Sequence, residues 1–186
     1  MSDDAPASLD PQRAFIVVSG MQGAGKTTVA AQLARRFARG VHIPADDLQR
    51  LIVSGATWKS QRGPEGEADA QLRLRLHHIC LLGTSFFDAG FAVVLDDIII
   101  GERVLHLRRE LGQRPFMFVM LTPDLDVVRE REAGRGTQLH DQWGWMDDEI
   151  RRATQRIGLW IDSSGQTADE TVDEIMARVW TEGLVG

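Results

Sequence analysis

The chain has 186 residues, enough for one domain with a substantial core, and 43% hydrophobic against 26% charged residues is the balance of a globular protein. Its formal net charge of −6 argues against nucleic acid as a partner, since such partners call for a basic field. A single cysteine, Cys80, excludes an intrachain disulfide and a cysteine metal cluster, and no apolar run reaches the roughly 18 residues of a membrane span.

Met1 to Gln12 is acidic, carries Pro6 and Pro11, and lacks the basic start and apolar stretch of a signal peptide. It reads as a flexible leader (1–12) on a cytoplasmic protein, with 13–186 as one domain. Phe15–Ser19 predicts a buried parallel strand. The next stretch, Gly20-Met21-Gln22-Gly23-Ala24-Gly25-Lys26-Thr27, leads into Thr28 and a helix expected to run to Arg39, with Gly40 as its C-terminal cap. Strand, G-x-x-x-x-G-K-T loop and helix in that order are the context of a P-loop. Glycines let the backbone turn tightly and aim N–H groups inward as a nest for phosphate oxygens, and the helix N-terminus adds free N–H groups and partial positive charge. Lys26 is expected on the β- and γ-phosphates and the Thr27 hydroxyl on Mg²⁺. The candidate nucleotide-binding residues are thus Gly20, Met21, Gln22, Gly23, Ala24, Gly25, Lys26, Thr27 and Thr28.

Val41-His42-Ile43 predicts a second strand closed by Pro44, and Ala45-Asp46-Asp47-Leu48 opens a helix to about Ser54. Its two carboxylates either cap that helix or serve chemistry. Gly55 to Asp69 reads as a loop, and 68–89 as a helix with an apolar stripe of Leu72, Leu76, Ile79, Leu82-Gly83 and Phe86. Gln71, Arg73 and Arg75 fall off the stripe, Cys80 reads as core, and His77 and His78 point about 100° apart, a poor geometry for a shared metal. Gly90 ends this helix, and Phe91–Leu95 is a buried strand ending at Asp96-Asp97, where at least one carboxylate is expected to serve Mg²⁺.

Glu102–Leu111 predicts a helix, Pro115–Leu121 a buried strand, and Asp124–Glu132 a charged helix whose Arg129 and Arg131 continue past Gly134 to Arg135. This glycine-flanked segment, about 129–146, reads as a small lid able to close arginines over phosphates. Trp143 and Trp145 fill a core or interface, or stack on a ring. A helix over 147–157, a short strand Leu159–Ile161, a turn at Asp162–Gly165 and a final helix from Ala168 to about Trp180 complete the chain. Thr167 and Glu170 form a capping box for that helix, and Val172, Ile175, Met176 and Val179 its buried face. The β/α alternation predicts an α/β fold whose parallel sheet gathers the P-loop, Asp46/Asp47, Asp96/Asp97 and the Asp162 turn at one edge.

The guanine-reading N-K-x-D string and the L-S-G-G signature of transporter ATPases are absent. A kinase acting on a hydroxyl gains from a carboxylate that takes or orients the proton, and the second strand delivers Asp46-Asp47 beside the P-loop, which favours an alcohol acceptor. Taken together, Gly20–Thr27, Ala45-Asp46-Asp47-Leu48, Val93-Val94-Leu95-Asp96-Asp97 and Arg131-x-x-x-Arg135-Gly136 resemble the chloramphenicol phosphotransferase-like P-loop kinases, relatives of bacterial polynucleotide 5′-hydroxyl kinases and zeta-type toxins. The resemblance spans roughly Phe15 to Trp180. It implies the P-loop NTPase fold with a five-stranded parallel sheet in the order 2-3-1-4-5, ATP and Mg²⁺ as cofactors, Asp46 as general base, Thr27 and Asp96 on the metal, and Lys26, Arg131 and Arg135 on the transferring phosphate. The chain departs from the family in having Gln138 where a further lid arginine stands, and its loop over 57–67 does not match, so antibiotic specificity does not carry over. Trp58, Gln71 and Arg73 are secondary candidates for contacting the acceptor.

The sequence reading is therefore an ATP-dependent phosphotransferase acting on a hydroxyl of a small molecule (antibiotic, nucleoside or sugar-like), working as a monomer or homodimer. A polynucleotide 5′-hydroxyl kinase and a nucleotide-binding regulator with little catalysis are the two alternatives.

Overall fold

The computed structural model describes residues 10, 12–57, 66–133, 150, 152 and 154–186. The apolar runs form strands and the amphipathic stretches between them form helices, in the order β1 (Phe15–Gly20), α1 (Lys26–Ala34), β2 (Gly40–Pro44), α2 (Ala45–Arg50), α3 (Glu67–Asp88), β3 (Ala92–Asp96), α4 (Arg103–Leu111), β4 (Phe116–Leu121), α5 (Leu125–Ala133), β5 (Leu159–Ile161) and α6 (Ala168–Glu182). The five strands make one parallel sheet in the order β2-β3-β1-β4-β5. Every residue of β1, β3 and β4 is buried, as expected of central strands covered by helices on both faces. α1 packs with α6, and α3 packs with α2 and α4.

Register places the functional edge. Val18 of β1 lies opposite Asp96 of β3, and Pro44 of β2 lies opposite the same Asp96. The P-loop therefore leaves β1 two residues after Val18, and Asp46 follows β2 by two residues, so both emerge beside Asp96. Pro44 is tolerated inside β2 because β2 is an edge strand. At the other edge β5 is only three residues long and pairs with Val119–Leu121 of β4. The backbone of the first half of β4 is completed by the C-terminal tail: the Phe118 N–H donates to the Gly183 carbonyl (2.8 Å) and the Val185 N–H to the Phe116 carbonyl (2.9 Å).

Several boundaries differ from the sequence expectation. α1 stops at Ala34 with Arg35 as C-cap, so Gly40 is not a helix cap but the first residue of β2. Its glycine is required by close approach: a Cβ there would lie 1.8 Å from the Ala34 carbonyl oxygen and 2.8 Å from its carbon. Backbone faces backbone, so no side chain can yield. Gly40→Ala is expected to cost more than about 4 kcal/mol, the range reserved for substitutions that force the backbone to move, read as a lowered urea midpoint at unchanged m-value.

α2 ends at Arg50 rather than Ser54, and neither of its aspartates caps it. Pro44 is the N-cap, and Asp46 and Asp47 occupy the first turn, where carboxylates favour the helix dipole. On α3 the stripe holds at Leu76, Ile79 and Gly83, whereas Leu82 is 39% exposed. Gln71, expected off the stripe, is buried because its amide is fully engaged. Its Oε1 accepts from Gln49 Nε2 (2.9 Å) and the Thr57 N–H (2.8 Å), and its Nε2 donates to the Gly55 carbonyl and Glu67 Oε1 (both 2.8 Å). Gln71 thus ties the 55–57 segment to α2 and α3 instead of facing an acceptor. Cys80 is core, its thiol pushed up to about 12 by burial and then by the Glu110 charge. The Thr167–Glu170 capping box forms at α6, whose inner face is Val172, Ile175 and Val179 with Met176 at its margin. Of the helix expected over 147–157, residues 147–149, 151 and 153 lie outside the described residues, and 154–157 are not helical, so the expected helix does not reach 157; Trp58, Arg135, Gln138, Trp143 and Trp145 also lie outside the described residues.

Candidate functional site

At the carboxyl edge of the sheet, Gln22, Gly23, Gly25, Lys26, Thr27 and Thr28 line a cleft together with Asp46, Asp96, Asp97 and Ile98. The loop turns through three glycines in left-handed backbone, Gly20 (φ 152°), Gly23 (φ 80°) and Gly25 (φ 93°), and Gly25 is the N-cap of α1. Side chains are disfavoured at such angles, so the glycine pattern read in the sequence is a requirement of this turn. The first N–H groups of α1 have no carbonyl preceding them in the helix and face the cradle, the arrangement that binds anions.

Lys26 is buried, and its Nζ donates to the Met21 carbonyl across the loop (2.9 Å). Burial lowers its pKa, opposed by the charges of Asp96, Asp97 and Asp46. The ammonium is therefore poorly solvated and surrounded by carboxylates, poised for an anion. Thr27 Oγ1 donates to Asp96 Oδ2 (2.7 Å), and His42 Nε2 meets Asp96 Oδ1 at 2.5 Å. Thr27 and Asp96 thus supply adjacent hard oxygens, the donor chemistry Mg²⁺ selects. Among the described residues no group of three or more His, Cys, Asp or Glu forms a protein-only metal cluster.

Asp46 is exposed at the mouth of the cleft, and its carboxylate has no hydrogen-bond partner among the described residues, whereas Asp47 turns away to pair with Arg50 at 2.5 Å. The two adjacent aspartates of the sequence are thereby separated: one faces the cleft and one is spent on its own helix. Asp97, next to Asp96, is buried; its Oδ1 accepts from Arg75 Nη2 (3.0 Å) and from the Ile98 N–H (2.7 Å). Burial pushes its carboxyl up, with Arg75 and the Ile98 N–H opposing and the Asp46 charge adding.

Arg131, on the last turn of α5, reaches the loop from the opposite side. Its Nη2 donates to the Ser163 carbonyl (2.8 Å) and the Gln166 carbonyl (3.3 Å), and its Nη1 lies 3.5 Å from the Ala24 carbonyl. It joins the P-loop to the turn after β5. Arg129 pairs with Asp126 on its own helix. His42 and Arg75 were not singled out in the sequence. His42 lies in an edge strand too short to show which face it presents, and Arg75 falls off the apolar stripe of a long helix, so only the fold brings either to an aspartate 22 or more residues away.

A five-stranded parallel sheet in this order, with a glycine-turned loop after its central strand and an acidic residue closing the neighbouring strand, defines a P-loop nucleotide-binding protein of the kinase type of fold. The family model described as an AAA domain matches residues 15–158, and the chain belongs to that family. The chain is also similar to a guanylate kinase of Chlorobium chlorochromatii (strain CaD3), 25% identical over 144 residues that cover 70% of this chain and 75% of the relative. Among solved structures, it is similar to the tunicamycin resistance protein of Deinococcus radiodurans, with a TM-score of 0.64 and 19% identity over 94% of this chain and 99% of that one. A sugar kinase from Janibacter sp. HTCC2649 superposes with a TM-score of 0.63 and 17% identity, covering 89% of this chain and 93% of that one. At these identities the structural likenesses establish the fold.

Proposed function

We propose that this protein is an ATP-dependent phosphotransferase that moves the γ-phosphate to a hydroxyl of a small molecule, an antibiotic, a nucleoside or a sugar-like alcohol, with Asp46 as general base. The observation that carries this reading is the Asp46 carboxylate, exposed and without a hydrogen-bond partner among the described residues, in the same cleft as the buried Lys26. A regulator that only binds nucleotide has no use for a free carboxylate at that place. Within the AAA domain family, the Asp46 position, the Asp96-Asp97 pair and the Arg131-x-x-x-Arg135-Gly136 segment favour the chloramphenicol phosphotransferase-like kinases.

In the proposed reaction the acceptor oxygen forms a bond to the γ-phosphorus as the bond to the β-phosphate oxygen breaks. ADP leaves, and the hydroxyl proton passes to Asp46. Lys26 holds the β- and γ-oxygens and offsets the charge that shifts between them. Thr27 and Asp96 would hold Mg²⁺, which neutralises phosphate charge when bound. Arg131 stands beside the Ala24 carbonyl at the phosphate end, and the motif assigns Arg135 to the same end.

The test is acceptor-dependent ADP production. Purified protein with Mg²⁺ and ATP is expected to release ADP slowly alone and at least tenfold faster with a pool of neutral alcohols. Stimulation only by a 5′-hydroxyl oligonucleotide would replace this reading by polynucleotide kinase activity, and no stimulation by any alcohol would contradict both.

A further inference from the structure

The cleft carries a second carboxyl group, Asp97, that the proposed phosphate transfer does not use. Asp97 is 6% exposed and lines the cleft with Asp46 and Lys26. Its two oxygens are in different circumstances. Oδ1 is fully engaged, by Arg75 Nη2 at 3.0 Å and the Ile98 N–H at 2.7 Å. Oδ2 is buried and has no hydrogen-bond partner among the described residues. Buried polar oxygens are as a rule bonded, and one left unpaired on a residue that lines a binding cleft marks a place for a donor. The donor it calls for is neutral, because the Asp97 charge already has its counter-ion: the Arg75 guanidinium sits against it, with side-chain exposures of 11% and 4%.

The same pairing fixes the charge of this wall. Among the described residues it presents the Asp46 and Asp97 carboxyls, and its cation, Arg75, is paired with Asp97. Lys26 is turned to the loop through the Met21 carbonyl and belongs to the phosphate end. Among the described residues, an acceptor bearing a carboxylate or phosphate would meet two carboxyl groups on this wall and no cation besides the Arg75 paired with Asp97, and like charges in a partly buried site repel strongly.

Resting on the kinase reading above, we propose that the acceptor is an uncharged polyol, one hydroxyl of which meets Asp46 while a neighbouring hydroxyl donates to Asp97 Oδ2. Asp97 is then a specificity residue, and Arg75 positions it by holding Oδ1. A site built around a hydroxyl discriminates sharply against analogues that lack it, because its own polar group is then left unpaired.

The test uses the unaltered full chain, γ-labelled ATP and Mg²⁺ with three matched acceptor pools: neutral polyols (hexoses, myo-inositol, ribonucleosides), their acidic counterparts (sugar acids, sugar phosphates, nucleoside 5′-monophosphates) and deoxy analogues lacking the hydroxyl next to the reacting one. Label is expected in a neutral polyol, with kcat/KM at least tenfold lower for the matched acid and about 10²-fold lower for the deoxy analogue. Asp97→Asn is expected to raise KM for the polyol and to shrink its preference over the deoxy analogue at least tenfold. Transfer favouring an acidic acceptor, or equal use of polyol and deoxy analogue by the unaltered protein, would overturn the polyol assignment while leaving the kinase intact. Transfer to no pool would overturn both. Because the acceptor comparison needs no substitution, it stands even if Asp97→Asn does not fold.

Discussion

Asp46→Asn is expected to lower kcat for phosphate transfer by about 10²–10⁴-fold, the usual contribution of a positioned general base, while ATP affinity stays unchanged. The reason lies in where the fold puts this residue. β2 ends in register with Asp96, and Asp46 follows in the first turn of α2, at the mouth of the cleft rather than against the phosphate cradle. Its carboxylate makes no hydrogen bond among the described residues and caps no helix end, so asparagine, of the same shape, disturbs little of the fold. The substitution removes the proton acceptor and leaves the P-loop as it is. Residual activity should be slow ATP hydrolysis that acceptor no longer stimulates. Steady-state kinetics with equilibrium binding of a non-hydrolysable ATP analogue separates the two effects. A variant that keeps its acceptor-stimulated rate would show that Asp46 has no part in the chemistry.

Lys26→Met should abolish transfer differently. Lys26 is buried with its ammonium against the Met21 carbonyl and three carboxylates within electrostatic reach. Methionine fills a similar volume but removes the cation that would offset phosphate charge. Transfer and background hydrolysis are both expected to fall by about 10²–10³-fold, the range for losing one preorganised electrostatic contact, and ATP is expected to bind more weakly. The loss has a second, measurable consequence. Lys26 helps hold the Asp97 carboxyl down against burial, so its removal should move that carboxyl further up. Carboxyl NMR of the folded variant would read the shift. The contrast with Asp46→Asn is the informative part: one variant should retain hydrolysis without acceptor use, and the other should lose both.

How far the chain could be read from its sequence follows from the range of each interaction. The apolar runs at Phe15–Ser19, Phe91–Leu95 and Pro115–Leu121 coincide, apart from Phe91 and Pro115 at their starts, with strands buried throughout, so their continuous hydrophobicity identifies strands without tertiary knowledge. The P-loop was legible because its glycines answer to local backbone angles. The gathering of the loop, Asp46 and Asp96 at one edge follows from parallel strands alone, whereas the order of those strands came from resemblance to a family. Gly40 looked like a cap because caps are the commoner use of such a glycine; the contact that requires it, with the Ala34 carbonyl, belongs to the packing of β2 against the end of α1. Gln71 was misplaced for the opposite reason. A polar residue reads as exposed, and only four hydrogen bonds to Gln49, Thr57, Gly55 and Glu67 make its burial affordable. Asp46 was separated from Asp47 only through resemblance to a family, since the Asp47–Arg50 pair that turns Asp47 away is a side-chain contact within α2. Nothing in the sequence couples Arg75 to Asp97, because that pair forms only where side chains meet across elements.

The fate of the γ-phosphate tests the central claim most directly. With γ-labelled ATP, Mg²⁺ and a mixture of neutral alcohols, the labelled products are separated after a time course. The account predicts label accumulating in an organic phosphate ester in step with ADP, in the unaltered protein and not in Asp46→Asn. Label found only as inorganic phosphate, at the same rate with and without acceptors and in both proteins, would contradict it.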